Sequence, residues 1–487
     1  MITAILILIP LIGSAAVMFT GRGKGLKRNA IIVSLIAFAV SILALALFHN
    51  TGEPEFSFSV PWISGSGINF HVAMDGISLL LVLLTTFLFP IIIIAYPKPV
   101  SGRVNIFYGL VLILEASLIG VFTACDGIVF YIFWEMALIP AYFIIALWGG
   151  NNRIRITFKF FIYTITGSLL MLGAIIWLYL HTPNPHSAEF SALYKVATTR
   201  NAQLWIFSAL FLAFAIKIPI IPFHTWQPDT YTSAPPAGSM ILAGIMLKMG
   251  IYGIIRLLIP LCRDTFGLLQ YPVMILIVAG IVYASVIAVT QSDLKRFAAW
   301  VSVAHAGLIT AGAFSLDQSA LQGAVLQMIS HGINIVGLFI IIDIIETAYK
   351  SREANELGGI ASVNPKLGIF FMMIMLATVA IPLTNGFPGE FLLLLGIFKY
   401  SVWLSAVAGT TIIFSAVYMF KIYQKVMLGP VPEKVKFSEN KLSGFEMTAL
   451  VSLAVMVFFI GCFPKPFLDL AGPAVKNILD FITVTTN

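Results

Sequence analysis

The chain has 487 residues, 59% of them hydrophobic and only 10% charged, with a formal net charge of +7. A water-soluble fold of this length needs far more polar surface to cover its cores, so that class is excluded. The basic residues are scattered through short loops, which excludes a nucleic-acid surface, and Cys125, Cys262 and Cys462 lie too far apart for a metal or redox motif.

Apolar runs of about 20 residues, the length that crosses hydrocarbon, recur along the whole sequence without strand alternation. The composition therefore predicts an all-α polytopic membrane protein. Spans are expected at roughly 2–19, 30–48, 77–96, 105–124, 127–148, 160–180, 203–221, 237–260, 271–291, 297–314, 320–346, 366–398, 401–421 and 445–463, about fourteen helices. The first run has no basic leader and no small-residue cleavage site, so it is expected to remain as a helix. No G-x-G-x-x-G, Walker A or H-E-x-x-H occurs, which predicts no site for NAD, ATP, flavin or an iron–sulfur cluster. Redox chemistry would come from partners.

The loop after the first span carries Arg22, Lys24, Lys27 and Arg28. Alternate loops on that side hold most of the 28 Lys and Arg, the bias that marks a cytoplasmic face. Both termini are then expected on the other side.

A few ionisable residues remain inside apolar spans, where each costs about 2.5–3.5 kcal/mol on insertion scales. Glu115 comes first, either bonded to small neighbours such as Ser117 or part of a proton path. Glu135 follows, in Phe133-Trp134-Glu135-Met136. Lys217 stands beside Pro219, where an interior proline breaks the helix and frees carbonyls to hold water. A lysine within about 4–6 Å of a carboxylate keeps its proton, and withdrawing the carboxylate releases it. The pair Glu135–Lys217 is thus a switchable proton site, or else a static buried ion pair. His224 and Asp229 follow the break and either admit protons or cap the loop. Lys248 sits too deep in its span to reach an interface. Lys295 precedes the tenth span as a cytoplasmic anchor. His305 and His331, in successive spans, change charge near neutral pH and suit a relay, though each could simply bond a neighbouring carbonyl. Glu390 lies in Asn385-Gly386-Phe387-Pro388-Gly389-Glu390, read as a second helix break that solvates it for proton loading.

Glu135 precedes Pro219 by almost the same number of residues as His305 precedes Pro388. Five helices separate the copies, so the second enters from the opposite side, the pattern of an inverted repeat with broken helices at a transport site. The units are 105–260 and 271–421, preceded by three helices in 1–104 and followed by a loop and last helix in 422–487.

The strings FWEMALIPAYFIIALWG (133–149), KFFIYT (159–164), PFHTWQPDTYTSAPPAGSMILAGIMLKMGIYG (222–253) and DLKRFAAWVSVAHAG (293–307) resemble the antiporter-like subunits of respiratory complex I, the NADH–quinone oxidoreductase. The resemblance covers nearly the whole chain and implies fourteen helices with two inverted five-helix repeats. It places the family's pumping glutamate and lysine on Glu135 and Lys217, the central lysine on Lys248, the linking histidines on His305 and His331, and the twelfth-helix residue on Glu390. Other branches, and the related Mrp sodium–proton antiporter chains, usually carry lysine at that last position. The resemblance further implies proton translocation from cytoplasm to periplasm, driven by electron transfer from NADH to quinone. NADH, FMN, iron–sulfur clusters and quinone would reside in other subunits, with no cofactor in this chain. Implied partners are neighbouring antiporter-like subunits and the lateral helix of subunit L, in a bacterial inner membrane with periplasmic termini. The chain stops about 24 residues after its last predicted span, too soon for such a lateral helix of its own. Gln227 and Tyr231 depart from the family's leucine and histidine, which removes one proton-shuttling histidine. Rival readings are an Mrp-type cation–proton antiporter subunit, a membrane subunit of a hydrogenase-type complex, and a structural scaffold.

Overall fold

A computed structural model describes residues 1–19, 25–63, 65–96, 102–433 and 442–483. Arg22 and Lys24 of the predicted cytoplasmic loop lie outside the described residues. Among those residues, twelve helices are long and apolar enough to cross a membrane. They are α1 (Ile2–Phe19), α2 (Leu26–Leu47), α3 (Gly76–Ala95), α4 (Val104–Thr123), α5 (Gly127–Trp148), α6 (Arg153–Leu180) and, after the shorter α7 (Arg200–Lys217), α8 (Pro236–Leu261). There follow α9 (Arg263–Thr290), α10 (Leu294–Phe314) and α11 (Gln318–Tyr349). A shorter pair, α12 (Pro365–Thr378) and α13 (Gly386–Tyr400), precedes α14 (Val402–Met427) and α15 (Gly444–Cys462). The all-α membrane class predicted from composition is the class observed.

Many starts are set by side-chain caps. Asp75, Asp126, Thr199, Asp293 and Asp317 each accept a backbone N–H in the first turn that follows, satisfying donors that have no partner inside the helix. Ser443 and Glu446 form a reciprocal capping box at α15. In hydrocarbon this satisfaction is compulsory, since no water reaches the backbone.

Burial sorts the helices. The apolar stretch of α11 is buried along its whole length, and α8 and α10 are nearly so, whereas α2 and α15 expose most of theirs. The central three carry Lys248, His305 and His331. Helix α8 is not regular: π-turns at Leu242–Met246 and Ile254–Leu258 bracket the turn that starts at Lys248. Such turns shift the carbonyl ladder by one residue and recur at functional sites.

Two elements were not expected. Residues 49–75, read as a loop, contain an antiparallel hairpin of β1 (Glu55–Ile63) and β2 (Ile68–Met74), with Ser59 opposite His71. Beyond the last predicted span, α16 (Lys465–Thr483) is amphipathic and lays Ala471, Val475, Ile478 and Ile482 inward. It is tied to the segment before the hairpin: Asn50 Nδ2 donates to the Asp469 carbonyl at 2.9 Å and Asn477 Nδ2 to that of Gly52 at 3.0 Å. Gly76 permits the approach, because a Cβ there would overlap the Leu470 carbonyl. One end of the bundle thus carries the hairpin and α16. The other carries the ions of Lys159, Asp229, Arg296, Lys295 and Glu346 and is the basic face.

The predicted span 366–398 is two helices, and its break is displaced. Helix α12 ends at Thr378 and α13 begins at Gly386, so the irregular segment is 379–385, containing Pro382. Pro388 sits in the first turn of α13, where a proline removes a donor that had no intrahelical partner. Glu390 therefore belongs to the start of a helix and not to unwound chain, which corrects the expected position.

Candidate functional site

A line of buried polar side chains crosses the middle of the bundle. Lys248 is fully buried on α8. Its Nζ donates to the Ala243 carbonyl at 2.8 Å and reaches Nδ1 of His331, on α11, at 2.8 Å. A lysine that donates to Nδ1 leaves the imidazole proton on Nε2, which has no partner among the described residues. The His331 and His305 rings lie 6.0 Å apart, centre to centre. Both line a cavity of about 10 Å³, together with Gln327, Asn334 and Thr378. That is about the smallest volume that admits one water molecule.

On the far side, His305 Nδ1 lies 3.0 Å from Glu390 Oε1, with both side chains 3% exposed. Gln327 Nε2 donates to the same oxygen at 3.1 Å. Gln327 stands one helical turn before His331 on α11, so one helix face holds both the relay histidine and the clamp on the carboxylate. Gly389 lets α13 come this close, because a Cβ there would collide with the Gln327 side chain. His305 Nε2 meets the Tyr418 hydroxyl of α14 at 3.3 Å. The structure therefore brings Lys248, His331, His305 and Glu390 into one series.

Lys217 ends α7, where the helix breaks as predicted. The carbonyl freed at Ile216 is taken by the Trp226 indole N–H at 2.9 Å, and that of Ala215 by Ile220 N–H at 2.8 Å. Those two carbonyls thus each hold one protein donor. Lys217 Nζ stands over the Trp134 ring at 5.2 Å, and no ion pair with Glu135 is present among the described residues. Glu135 is half-buried, with Oε1 unpartnered there. Among the described residues no hydrogen bond or ion pair joins Lys217 to Glu135, and no hydrogen bond joins it to Lys248. Glu115 is fully buried on α4, and its partner is not Ser117, whose hydroxyl turns back to the Ile113 carbonyl at 2.7 Å. Ser34 of α2 donates to Glu115 Oε2 at 2.6 Å instead.

The residues after the first break are held by aromatic and ionic contacts. His224 is buried against Tyr283 and Trp300, with ring centres 5.6 and 5.3 Å away. Asp229 binds Lys159 at 3.0 Å and Arg296 at 3.2 Å, tying α6 to the start of α10. Lys295 is buried and pairs with Glu346 at 2.9 Å. Gln227 donates to the Ala299 carbonyl at 3.3 Å, and Tyr231 to that of Leu242 at 3.1 Å, beside the first π-turn. A cavity of about 430 Å³ opens here, lined by Asp229, Thr232, Arg296 and Arg352 among others.

Sequence reasoning did not single out Gln327, Tyr418 or Trp134. Gln327 and Tyr418 were discoverable as polar groups in long apolar spans, and Trp134 as the ring adjoining Glu135.

Comparison with known proteins bears on this arrangement. Residues 124–415 match the family model described as NADH:quinone oxidoreductase/Mrp antiporter, TM. NADH-quinone oxidoreductase subunit M of Rickettsia conorii is 39% identical over 454 residues, covering 92% of this chain and 91% of that one. NADH-ubiquinone oxidoreductase chain 4 of Marchantia polymorpha is 34% identical over 478 residues, 97% of this chain and 96% of that one. A chain of respiratory complex I from Thermus thermophilus with bound NADH superposes with a TM-score of 0.91, at 28% identity, covering 99% of this chain and 100% of that one.

Proposed function

The chain belongs to the NADH:quinone oxidoreductase/Mrp antiporter family of membrane subunits, in the subunit M branch of respiratory complex I, and on that premise we propose that it carries protons from its basic face to its hairpin face through Lys217, Lys248, His331, His305 and Glu390. The observation that carries this reading is the contact series itself. Lys248 touches His331, His331 and His305 share a one-water cavity, and His305 touches Glu390. Ionisable groups at membrane depth that line up in contact mark a proton relay by default.

The remaining assignments follow from it. The basic face is cytoplasmic by the charge bias of its loops, so the hairpin, α16 and both termini are periplasmic, in a bacterial inner membrane. There are fourteen crossings: the twelve continuous helices plus α7 with its break, and α12 with α13. The two broken elements belong to inverted repeats at 105–260 and 271–421, where half-helices meet near the midplane. Protons enter by the cavity at Asp229 and Arg296. Lys217 over Trp134 is the state in which the ammonium is withdrawn from Glu135. Cation–π contact contributes up to about 2 kcal/mol when desolvated, comparable to what a charge change in a neighbouring subunit must overcome to swing the lysine. Electron transfer from NADH to quinone occurs on partner subunits that hold FMN, the iron–sulfur clusters and the quinone site. The partners on this chain are neighbouring antiporter-like subunits and the lateral helix of subunit L. The lipid-exposed faces of α2 and α15 suit such contacts or the bilayer.

The test is NADH–quinone turnover and proton pumping in inverted membrane vesicles carrying Lys217→Ala, with assembly checked on a native gel. Loss of both in an assembled complex is the expected result. Wild-type values for both would make Lys217 a structural charge and remove it from the path.

A further inference from the structure

His305 is held at both ring nitrogens. Nδ1 faces the carboxylate of Glu390 at 3.0 Å and Nε2 faces the Tyr418 hydroxyl at 3.3 Å. A neutral imidazole has one N–H and one lone pair. In that neutral form, with Nδ1–H donating to the carboxylate, Nε2 must accept, and among the described residues the Tyr418 O–H is the donor within hydrogen-bond distance. Tyr418 is fully buried, its ring packed on Phe297 at 5.7 Å, and its oxygen has no other hydrogen-bond partner among the described residues. The other polar groups that line the small cavity with this ring are Gln327, whose amide donates to Glu390, His331, Asn334, and Thr378, whose hydroxyl donates to the Ile374 carbonyl at 2.8 Å.

A proton coming from His331 therefore arrives at an imidazole whose receiving nitrogen is already occupied. Resting on the relay reading above, we propose that Tyr418 is the gate of that relay: its hydroxyl keeps His305 in the Nδ1–H tautomer and closes Nε2, so that a proton passes from His331 to Glu390 only when the hydroxyl turns away.

The transfer balances without any further reactant. The His331 Nε2–H bond breaks and its proton crosses the cavity to form a bond to His305 Nε2, while His331 Nδ1 takes a proton from the Lys248 ammonium; the His305 Nδ1–H bond breaks, and its proton passes to Oε1 of Glu390. His305 is left neutral in the other tautomer, with Nε2–H, and Glu390 is left neutral as the carboxylic acid. In that state Nε2–H donates and the Tyr418 oxygen accepts, so the hydroxyl has reversed its role. Each passage thus requires one reorientation of a buried O–H, and return to the starting tautomer requires another. A gate of this kind permits one-way loading only while something else, the charge state of the neighbours, times the turn. An ungated imidazole at the same place would pass protons in both directions.

The experiment is Tyr418→Phe in the intact complex, which deletes one oxygen and conserves volume. Protons pumped per NADH oxidised are measured in inverted vesicles, together with passive proton leak in the absence of substrate. The gate predicts a fall of about twofold or more in pumped protons per NADH, with an increased leak and turnover nearly retained. Tyr418→Gln, whose amide N–H can donate to Nε2, is expected to recover part of the ratio. An unchanged ratio and leak in assembled Tyr418→Phe, whatever its turnover, would overturn the gate. If Tyr418→Phe does not assemble, Tyr418→Gln alone decides: a wild-type ratio supports a donor requirement, and a ratio halved despite the amide contradicts it. Lys217→Ala run alongside separates the two levels, because its loss of pumping with a normal Tyr418→Phe leaves the relay standing without the gate.

Discussion

Glu390 offers the sharpest separation of chemistry from architecture. Its Oε1 receives Gln327 Nε2–H at 3.1 Å and faces His305 Nδ1 at 3.0 Å, and the three side chains are 2–3% exposed. Replacement by alanine strands two buried donors, and each unsatisfied group costs about 1–3 kcal/mol, so the deficit is roughly 2–6 kcal/mol before any cavity term. That is a large share of ordinary domain stability. Replacement by glutamine keeps the shape and an acceptor oxygen, so the loss should stay below about 1.5 kcal/mol. A carboxamide cannot take up a proton, however, so both variants should lose proton transfer. The assay is assembled complex on a native gel and its inactivation half-life on warming, followed by turnover and pumping. Glu390→Gln is expected to assemble normally and to pump at less than about a third of the wild-type rate, whereas Glu390→Ala is also depleted and short-lived. Wild-type pumping by Glu390→Gln would refute the loading role. Equal half-lives for the two variants would refute the two-donor arithmetic.

Three further outcomes are expected. Ser34→Ala removes the described donor to the fully buried Glu115 carboxyl, which should cost about 1–3 kcal/mol and shorten the inactivation half-life of the complex with little change in initial turnover. Gly76→Ala should push α16 off the bundle, because the new Cβ overlaps the Leu470 carbonyl; limited proteolysis from the hairpin side should then release the C-terminal segment faster. The Glu189 carboxylate, 2.6 Å from His71 Nδ1, holds that imidazole above its ordinary value of about 6.5. A raised folded-state value means that the pair's stabilisation is complete below about pH 6.5 and fades as pH climbs through the raised value. The half-life advantage of wild type over His71→Gln should therefore be greatest in mild acid and shrink in alkali, and a pH-independent advantage would contradict the pairing.

The membrane class and the buried charges were legible because hydrocarbon imposes simple rules: apolar runs of crossing length, and a steep cost for each ion within them. Lys248, His305, His331 and Glu390 stand out on that ground alone. Their partners do not, because contacts between helices distant in sequence leave no local trace. Glu115 illustrates this: Ser117 was the near neighbour, yet its hydroxyl bonds its own backbone and Ser34 of another helix approaches instead. Lys217 and Glu135 stand out as a candidate pair, whereas the place of the Lys217 ammonium over the Trp134 ring has no sequence signature. The second break lies before Pro388 and not at it, because a proline in a first turn is compatible with a helix. The hairpin was readable in the alternation Phe56-Ser57-Phe58-Ser59-Val60, and α16 in the spacing of Ala471, Val475, Ile478 and Ile482. Both signals are weak beside the long apolar runs, because the segments are short and alternating or half-polar.

The most direct test of the relay is Lys248→Met, which keeps an unbranched side chain one atom shorter while removing the only ammonium in contact with His331 among the described residues. Turnover and lumen acidification should be measured on assembled complex in inverted vesicles. The expected result is a fall of about threefold or more in both, equivalent to roughly 0.7 kcal/mol or more in the rate-limiting step. Wild-type turnover and pumping in that variant would contradict the relay at its centre.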